Sequence, residues 1–527
     1  MSGSHYSGPW VISGLIADRA ERWPERVAAF ADDGTLTNAE VVQRAARIAR
    51  GLRRLGVSPG DRVATMLPSS AAYLSVWHGI VWAGAVDVPV NTELKGTFLV
   101  HVLRDSGARV LVTEGRWVER LRGSELPDLE HLVVVGPLTS EAPVAVTAIG
   151  ELLAEDPAPV SAREEPDLAH ILYTSGTTGA SKGVMCSHRS FGWLLQGYIQ
   201  RLGLGFDDVG YSMFPLFHQM GRAAMVGTCA WVGAPVVLRA RFSAGGFWED
   251  IRATGSTFFG YFGAVILFLW RQPPRPDDAY NPARVAFGAS APPELVEPWE
   301  ERFGIHLAEV YGSTELGLVA ISSPAERRRG TMGQPVGHLE IGVHDERDRP
   351  VAPGVKGEIV ARPREPHAMF DGYWGAPEQT LAAFRNLWFH SGDSGSLDGD
   401  GYLTFSDRMG DAIRRRGQQI SSFEVEEAVR GHPLIVECAA YPVPSEHGDH
   451  EVMIAVVVEP DAEFDASSFF DELIPVMPRF ALPRYVRVMP SLPQTPTQRV
   501  QKYKLRAEGI TTDTFDRELL GVTSGRE

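Results

Sequence analysis

Cysteine is nearly absent, with Cys186, Cys229 and Cys438 the 3 in a chain of 527 residues. They lie far apart, show no metal-ligand spacing and leave one thiol over in any disulfide scheme. That excludes a disulfide-stapled scaffold and makes a reducing cytoplasm the expected compartment. Positive charge is also in deficit: 50 Lys and Arg stand against 66 Asp and Glu, for a formal net charge of −16. This balance argues against a nucleic-acid backbone or an anionic membrane surface as the main partner, while leaving room for a local basic patch around a phosphorylated ligand. Long apolar runs are missing too. Residues 253–270 carry no charge, yet Gly255, Gly260 and Gly263 interrupt them and a charged, proline-rich stretch follows. A buried strand passing into a core or pocket helix is expected there, not an integral membrane segment. Residues 1–10 are polar and Gly/Ser-rich, without the basic start and apolar run of a secretory leader, and residues 523–527 match no address or lipid-anchor motif.

What is present is an ordinary globular composition, 44% hydrophobic and 22% charged, in a chain long enough for more than one domain. Residues 37–56 combine a Thr37-x-x-Glu40 capping box, an apolar stripe (Val41, Ala45, Ile48, Leu52, Leu55) and a terminating Gly56, which predicts one amphipathic helix. Short apolar stretches follow at 62–67, 85–90, 109–113 and 132–135, separated by helix-length segments such as 96–106. Parallel strands with crossover helices are the expected result. A Pro/Glu-rich connection occupies 142–167. From about Glu358 the pieces become shorter, more polar and strand-like. A charged, glycine-containing stretch at 407–416 reads as a domain junction, leaving a small α/β unit behind it.

The strongest local signal is Tyr173-Thr-Ser-Gly-Thr-Thr-Gly-Ala-Ser-Lys-Gly-Val184, placed between a short apolar strand and a helical run. Glycines let the backbone approach a ligand, hydroxyls and amides donate to phosphate oxygens, and a lysine adds a point charge. The spacing is not that of the Walker loop. Composition alone would also suit a flexible surface loop. The stretch resembles the phosphate loop of adenylate-forming enzymes, the family of acyl-CoA synthetases, adenylation domains and luciferases. The resemblance assigns Thr174, Ser175, Gly176, Thr177, Thr178, Gly179 and Lys182 to the phosphates, with Ser181 standing where a proline is usual.

Further segments follow in the family's order. Tyr311-Gly-Ser-Thr-Glu315 resembles its second signature: Gly312 and Ser313 approach the nucleotide, Thr314 contacts phosphate and Glu315 holds Mg²⁺. A carboxylate beside a phosphate loop is repulsive unless a cation separates them, which makes the metal that accompanies ATP a physical requirement. Asp393, in Leu387-Trp-Phe-His-Ser-Gly-Asp393, is matched to the ribose hydroxyls, since an ionised carboxylate only accepts and can take two donors. Arg408 is matched to the same ribose. Gly288, Ala289 and Ser290 resemble the segment on one adenine face, with Tyr311 on the other. Phe214-Pro-Leu-Phe-His218 resembles the mouth of the acyl pocket, with His218 beside the reacting carboxylate. The pocket is expected to draw on Phe217, Gln219, Met220, Tyr261, Phe262, Gly263 and Leu316, so the acid should have an uncharged or hydrophobic tail. The segments Asn91-Thr-Glu-Leu-Lys-Gly96 and 414–422 resemble carnitine/crotonobetaine-type CoA ligases most. An aromatic cage could be drawn from Phe258, Phe259, Tyr261 or Phe262, but a core role is favoured for them. His447 and His450 are read as a solvated loop rather than a metal site.

The resemblance implies an α/β fold with a large N-terminal domain of layered α/β subdomains, 1–406, and a small mobile C-terminal α+β domain, 407–527. Gly410 occupies the hinge position, where Asp or Lys is usual, and Gly417 matches the glycine beside the CoA arm. Near the end, Gln498-Arg499 stands where Gly-Lys is usual. Arginine keeps the charge but is longer and planar, so either Arg499 or Lys502 is expected to supply the cation for adenylation. The implied reaction activates a carboxylic acid with ATP and Mg²⁺ as acyl-AMP and passes the acyl group to CoA, without a covalent enzyme nucleophile. Rivals are an amide synthetase, a stand-alone adenylation enzyme serving a carrier thiol, and a non-enzymatic nucleotide-binding relative. A homodimer is left open.

Overall fold

Thr37 starts the first long helix as its pattern predicts. Its hydroxyl accepts the Glu40 N–H (3.3 Å) while the Glu40 carboxylate accepts the Thr37 N–H (2.8 Å), closing a reciprocal cap around the helix Asn38–Arg54. The buried stripe Val41, Ala45, Ile48 and Leu52 of that helix is part of the same core as the helix Ala71–Trp82. The latter is apolar all round and buried at nearly every position, as such a helix must be. Strands Arg62–Met66, Val86–Pro89, Val110–Glu114 and His131–Val135 form between and after the helices and pair in parallel. The computed structural model describes residues 5–174, 180–325, 328–408, 413–446, 448–459, 463–493 and 500–522; the side chains of Asp407, Arg408, Gln419 and Phe423 lie outside that description.

Three sheets dominate the first part of the chain. The four parallel strands belong to a seven-stranded sheet whose far edge carries Leu168–Thr174 and Lys182–Ser187. A nine-stranded sheet runs in parallel through Val27–Ala31, Val236–Leu238, Gly210–Ser212, Phe258–Phe262, Val285–Ala289 and His306–Ser313. Its ends are antiparallel: Gly34–Thr37 at one edge, and Gly317–Ile321 followed by the edge strand Gln334–Pro335 at the other. The third sheet, which includes Leu339–His344, Gly357–Pro363 and Trp388–Leu397, is antiparallel between those strands, matching the shift to shorter strands near Glu358. The uncharged run at 253–270 is the buried strand Phe258–Phe262 followed by the helix Gly263–Trp270. Among the described residues no helix is long and apolar enough to cross a membrane.

Two units divide the chain: Met1–Thr92, Leu103–Leu172 and Gly183–Asp407 in one, and Glu93–Val102, Tyr173–Lys182 and Arg408–Glu527 in the other. The fold is therefore mixed α/β, with a large first unit and a smaller second one. The second holds a four-stranded mixed sheet (Ile435–Pro444, His450–Val458, Tyr485–Val488, Thr514–Asp516) with its own core, including Tyr441, Met453, Tyr485 and Leu505. A two-residue hairpin turn, Arg416 at φ 50 and Gly417 at φ 78, joins the strands Ile413–Arg415 and Gln418–Ile420. Both φ values are positive, as the turns favoured in such hairpins require.

Candidate functional site

In the first unit, four adjacent strands of the nine-stranded sheet run the same way, so their carboxyl ends share one edge. Gly210–Ser212 leads into the turn 214–220, Phe258–Phe262 into Gly263, Val285–Ala289 into Ser290, and His306–Ser313 into Thr314 and Glu315. Such an edge is where open parallel sheets bind ligands. The approach there is close. A Cβ on Gly263 would sit 1.9 Å from the Ser290 carbonyl oxygen, so only glycine fits. Ser290 itself has φ 67, a conformation that costs a non-glycine residue free energy. The turn after Ser290 is fastened by Glu309, whose Oε1 accepts the Tyr261 hydroxyl (2.6 Å) and the Ala291 N–H (3.3 Å).

Ser313 pairs with Gly317 across the turn that presents Thr314 and Glu315, and the Ser313 hydroxyl accepts the Leu316 N–H at 3.2 Å. Glu315 is half-buried; its Oε1 accepts the Tyr373 hydroxyl (3.0 Å), and its carbonyl accepts the Phe370 N–H (2.8 Å). The Tyr311 hydroxyl donates to Asp393 Oδ2 at 2.8 Å, while the Tyr311 ring lies 5.7 Å from that of Phe405. The sequence-predicted Gly288, Ala289, Ser290, Tyr311, Gly312, Ser313, Thr314, Glu315 and Asp393 thus belong to one unit, and Tyr311 and Asp393 touch directly.

His218 is exposed, its Nδ1 accepts the Met220 N–H (3.2 Å), and its ring meets the edge of Phe262 at 6.2 Å. Gln219 and Leu316 line one pocket with Thr314, Glu315, His170, Phe191, Leu194, His338 and Phe370. Burial drives the His170 pKa well below its ordinary value, Arg222 adding to the effect, and takes His338 down to about 4. Both imidazoles are therefore neutral at pH 7, and among the described residues Glu315 is the one carboxylate in that lining. Phe217, Met220 and Phe262 are half-buried nearby in the chain. Phe258, Phe259 and Tyr261 are fully buried in the core, the role favoured for them over a cation cage.

In the second unit, Thr174 ends one strand and Lys182 begins the next, while Ser175, Gly176, Thr177, Thr178 and Gly179 lie outside the described residues. Ser181 is held on both sides of its peptide: its N–H donates to Glu424 Oε1 (2.8 Å) and its carbonyl meets His101 Nε2 (2.7 Å). A proline there could not make the first bond. Lys502 is bound to Glu426 Oε1 (2.7 Å) and to the Ser422 hydroxyl (2.8 Å). Gly417 donates its N–H to Asp449 at 3.2 Å. Arg499, Gly410, His447 and the Arg408 side chain fall outside the described residues.

Sequence reasoning missed Tyr373, Glu309, Glu424 and the polar groups that hold the turn 214–220. Tyr373 sits in Phe370-Asp-Gly-Tyr-Trp374, an aromatic and glycine cluster that was the available signal. Together the strand order, the glycine contact and the Tyr311–Asp393 and Glu315–Tyr373 pairs define an α/β unit with a candidate ligand site at the carboxyl edge of its sheet. Comparison with known families matches residues 16–374 to the AMP-binding enzyme family and residues 424–499 to the AMP-binding enzyme C-terminal domain. The chain belongs to this family. It is 32% identical over 511 residues to feruloyl-CoA synthase of Amycolatopsis, covering 95% of this chain and 98% of that protein. With a medium/long-chain fatty acid–CoA ligase of Mycobacterium tuberculosis it shares 31% identity over 529 residues, covering 96% and 87% of the two chains. Among solved structures, a benzoate CoA ligase from Burkholderia xenovorans superposes with a TM-score of 0.70 at 26% identity, covering 95% of this chain and 100% of that one.

Proposed function

We propose that the protein is an ATP-dependent acid–thiol ligase that converts a carboxylic acid with an uncharged tail into its CoA thioester. The observation that supports this most is the convergence of the Ser290 turn, the Thr314–Glu315 turn and the 214–220 turn on the carboxyl edge of one parallel sheet. The neutral imidazoles and apolar groups around Gln219 and Leu316 favour an uncharged tail. The ferulate- and fatty-acid-handling relatives span both aromatic and aliphatic acids.

In the first half-reaction an oxygen of the substrate carboxylate attacks the α-phosphorus of ATP. The bond to the bridging oxygen breaks, and pyrophosphate leaves. Lys182 and Thr314 bind the phosphates and Asp393 the ribose, while Tyr311 orients Asp393 through its hydroxyl. His218, with Nδ1 already accepting a backbone N–H, is left with Nε2 as the donor toward the acid's carboxylate. Glu315 suits Mg²⁺, because that ion takes one or two carboxylates and completes its shell with phosphates and water. Mg²⁺ would neutralise charge on the phosphate oxygens. Lys502 is engaged by Glu426 and Ser422, so Arg499 is the residue assigned to the charge that builds on the α-phosphate. In the second half-reaction the CoA thiolate attacks the acyl carbonyl and AMP leaves, the pantetheine arm passing Gly417. Catalysis rests on positioning and electrostatics. The three free, buried cysteines suit a reducing cytoplasm.

Pyrophosphate release across a panel of aromatic, medium-chain and long-chain acids, with and without CoA, tests the proposal. Acid-dependent release followed by CoA-dependent thioester is expected, and Glu315→Gln should cut release about a hundredfold. Release that responds to amines and ignores CoA would reassign the second half-reaction. No release with any acid would reject the whole reading.

A further inference from the structure

Beneath the turn that carries His218 lies a charge pair with no place in the scheme above. Arg222 and Asp87 are both fully buried and stand 2.6 Å apart. Removing two charges from water is costly, and well-packed apolar residues often serve a core as well, so such a pair calls for a role beyond packing. Asp87, on the strand Val86–Pro89, also accepts the Thr65 hydroxyl at 2.8 Å. Arg222 lies in the buried helical segment Met220–Gly227, with its guanidinium carbon 4.3 Å from the Trp77 ring centroid. Its Nη2 donates to the Tyr73 hydroxyl (3.2 Å), and its Nε donates to the Leu216 carbonyl (3.1 Å).

That last bond is the informative one. The Leu216 N–H donates to the Ser69 hydroxyl (3.0 Å), which in turn donates to the Phe214 carbonyl (3.2 Å). Leu216 is thus gripped at both its N–H and its carbonyl, two residues before His218. The rest of the turn is determined from there: the His218 N–H reaches the Pro215 carbonyl (3.0 Å), and the Arg222 N–H reaches the His218 carbonyl (3.1 Å). No slack remains, since a Cβ on Gly221 would come within 2.5 Å of the Pro215 carbonyl oxygen.

We propose that Arg222, charge-balanced by Asp87 and assisted by Ser69, is a positioning residue that fixes the Leu216 peptide and thereby sets His218 against the reacting carboxylate. The inference rests on the acid-activating reading of this site. It assigns the buried pair to handling of the acid, not of the nucleotide.

The test is steady-state pyrophosphate release with the full-length protein, varying acid and ATP separately, on Arg222→Lys, Ser69→Ala and His218→Ala, with melting temperatures recorded in parallel. Arg222→Lys keeps a cation beside Asp87 but cannot hold the Leu216 carbonyl with the same fork. Ser69→Ala leaves the buried charges alone. Both should lower kcat/KM for the acid about tenfold while KM for ATP changes less than about twofold. Adding Arg222→Lys to His218→Ala should cost no more than His218→Ala alone, because the two act through one group. Fully additive losses would overturn the proposal. So would losses for ATP and acid alike that track the melting temperature, or wild-type acid kinetics in folded Ser69→Ala. If Arg222→Lys fails to fold, Ser69→Ala combined with His218→Ala completes the same cycle and decides the matter by the same criterion. An inactive wild type would reject the ligase reading itself, whereas an active wild type with unaffected variants rejects only the role of Arg222.

Discussion

At the scale of single residues, the proposal turns on which cation near the end of the chain, Arg499 or Lys502, serves adenylation. Lys502 is the alternative to Arg499 in the sequence, but its ammonium sits between Glu426 and Ser422, and Glu426 also accepts the Ala440 N–H at 2.8 Å. Glu426 is 7% exposed and keeps Arg430 as a second, longer cation contact at 3.3 Å, so removing Lys502 would leave a buried carboxylate only partly compensated. Lys502→Met is therefore expected to destabilise the protein by about 2 kcal/mol, seen as a lower denaturation midpoint, while pyrophosphate release per folded molecule stays near wild type. Arg499→Ala should have the opposite profile, losing acid-dependent release about a hundredfold with an unchanged midpoint. Arg499→Lys should recover or exceed wild-type release, since a compact ammonium approaches the α-phosphate more closely than a planar fork. If Lys502→Met loses turnover without losing stability, the assignment of the two cations is reversed.

At the scale of elements, the site depends on how closely neighbouring strand ends approach. Gly263 opens a helix directly after Phe262, and its missing side chain leaves room for the Ser290 carbonyl. Gly263→Ala is expected to push the Ser290 turn away. Since Ser290 already sits at φ 67, the strained turn has little freedom to adjust. A fall in ATP affinity of more than about tenfold by calorimetry should accompany a melting loss of about 2 kcal/mol. Unchanged ATP binding would mean that the Ser290 turn does not contact the nucleotide. These elements were partly legible in the sequence. The Thr37 cap, the parallel strands from Arg62 to Val135 and the strand-to-helix passage at 258–270 follow from period and capping, which are local. Tyr311, Thr314, Glu315 and Asp393 were singled out by resemblance to family segments occurring in the family's order, because each motif alone reads equally well as an ordinary turn. Arg222, Asp87 and Ser69 were not, because their meaning comes from sheet order. Ser69 meets Leu216 across 147 positions of chain, and no local pattern records that contact. The pairing of Val27–Ala31 with Val236–Leu238 in one sheet was hidden for the same reason.

At the scale of the molecule, buried histidines make the first unit sensitive to acid. Burial lowers His188 and His338 from the ordinary 6.5 to about 4, lowers His78 to about 3, and holds His170 well below its usual range. All four residues belong to the larger unit. In the unfolded chain these imidazoles take up protons near pH 6.5, whereas in the folded protein they stay neutral until far lower pH. Between those limits the unfolded state binds more protons, so stability is present above about pH 6.5 and lost as pH falls toward 4. His188 and His338 together should remove roughly 4 kcal/mol by pH 5, enough to lower the melting temperature by several degrees. Glu424 in the smaller unit works in the other direction. Burial raises its carboxyl pKa, so it contributes stability at low pH that is lost as pH rises. Hydrogen exchange at pH 5 against pH 7.5 should therefore show protection falling mainly in the strands around His170 and the helix His188–Leu202, with the smaller unit little changed. His338→Gln should flatten the pH dependence of the melting temperature in proportion to its share. A melting temperature constant from pH 7.5 to 5 would mean that these imidazoles reach solvent in the folded protein.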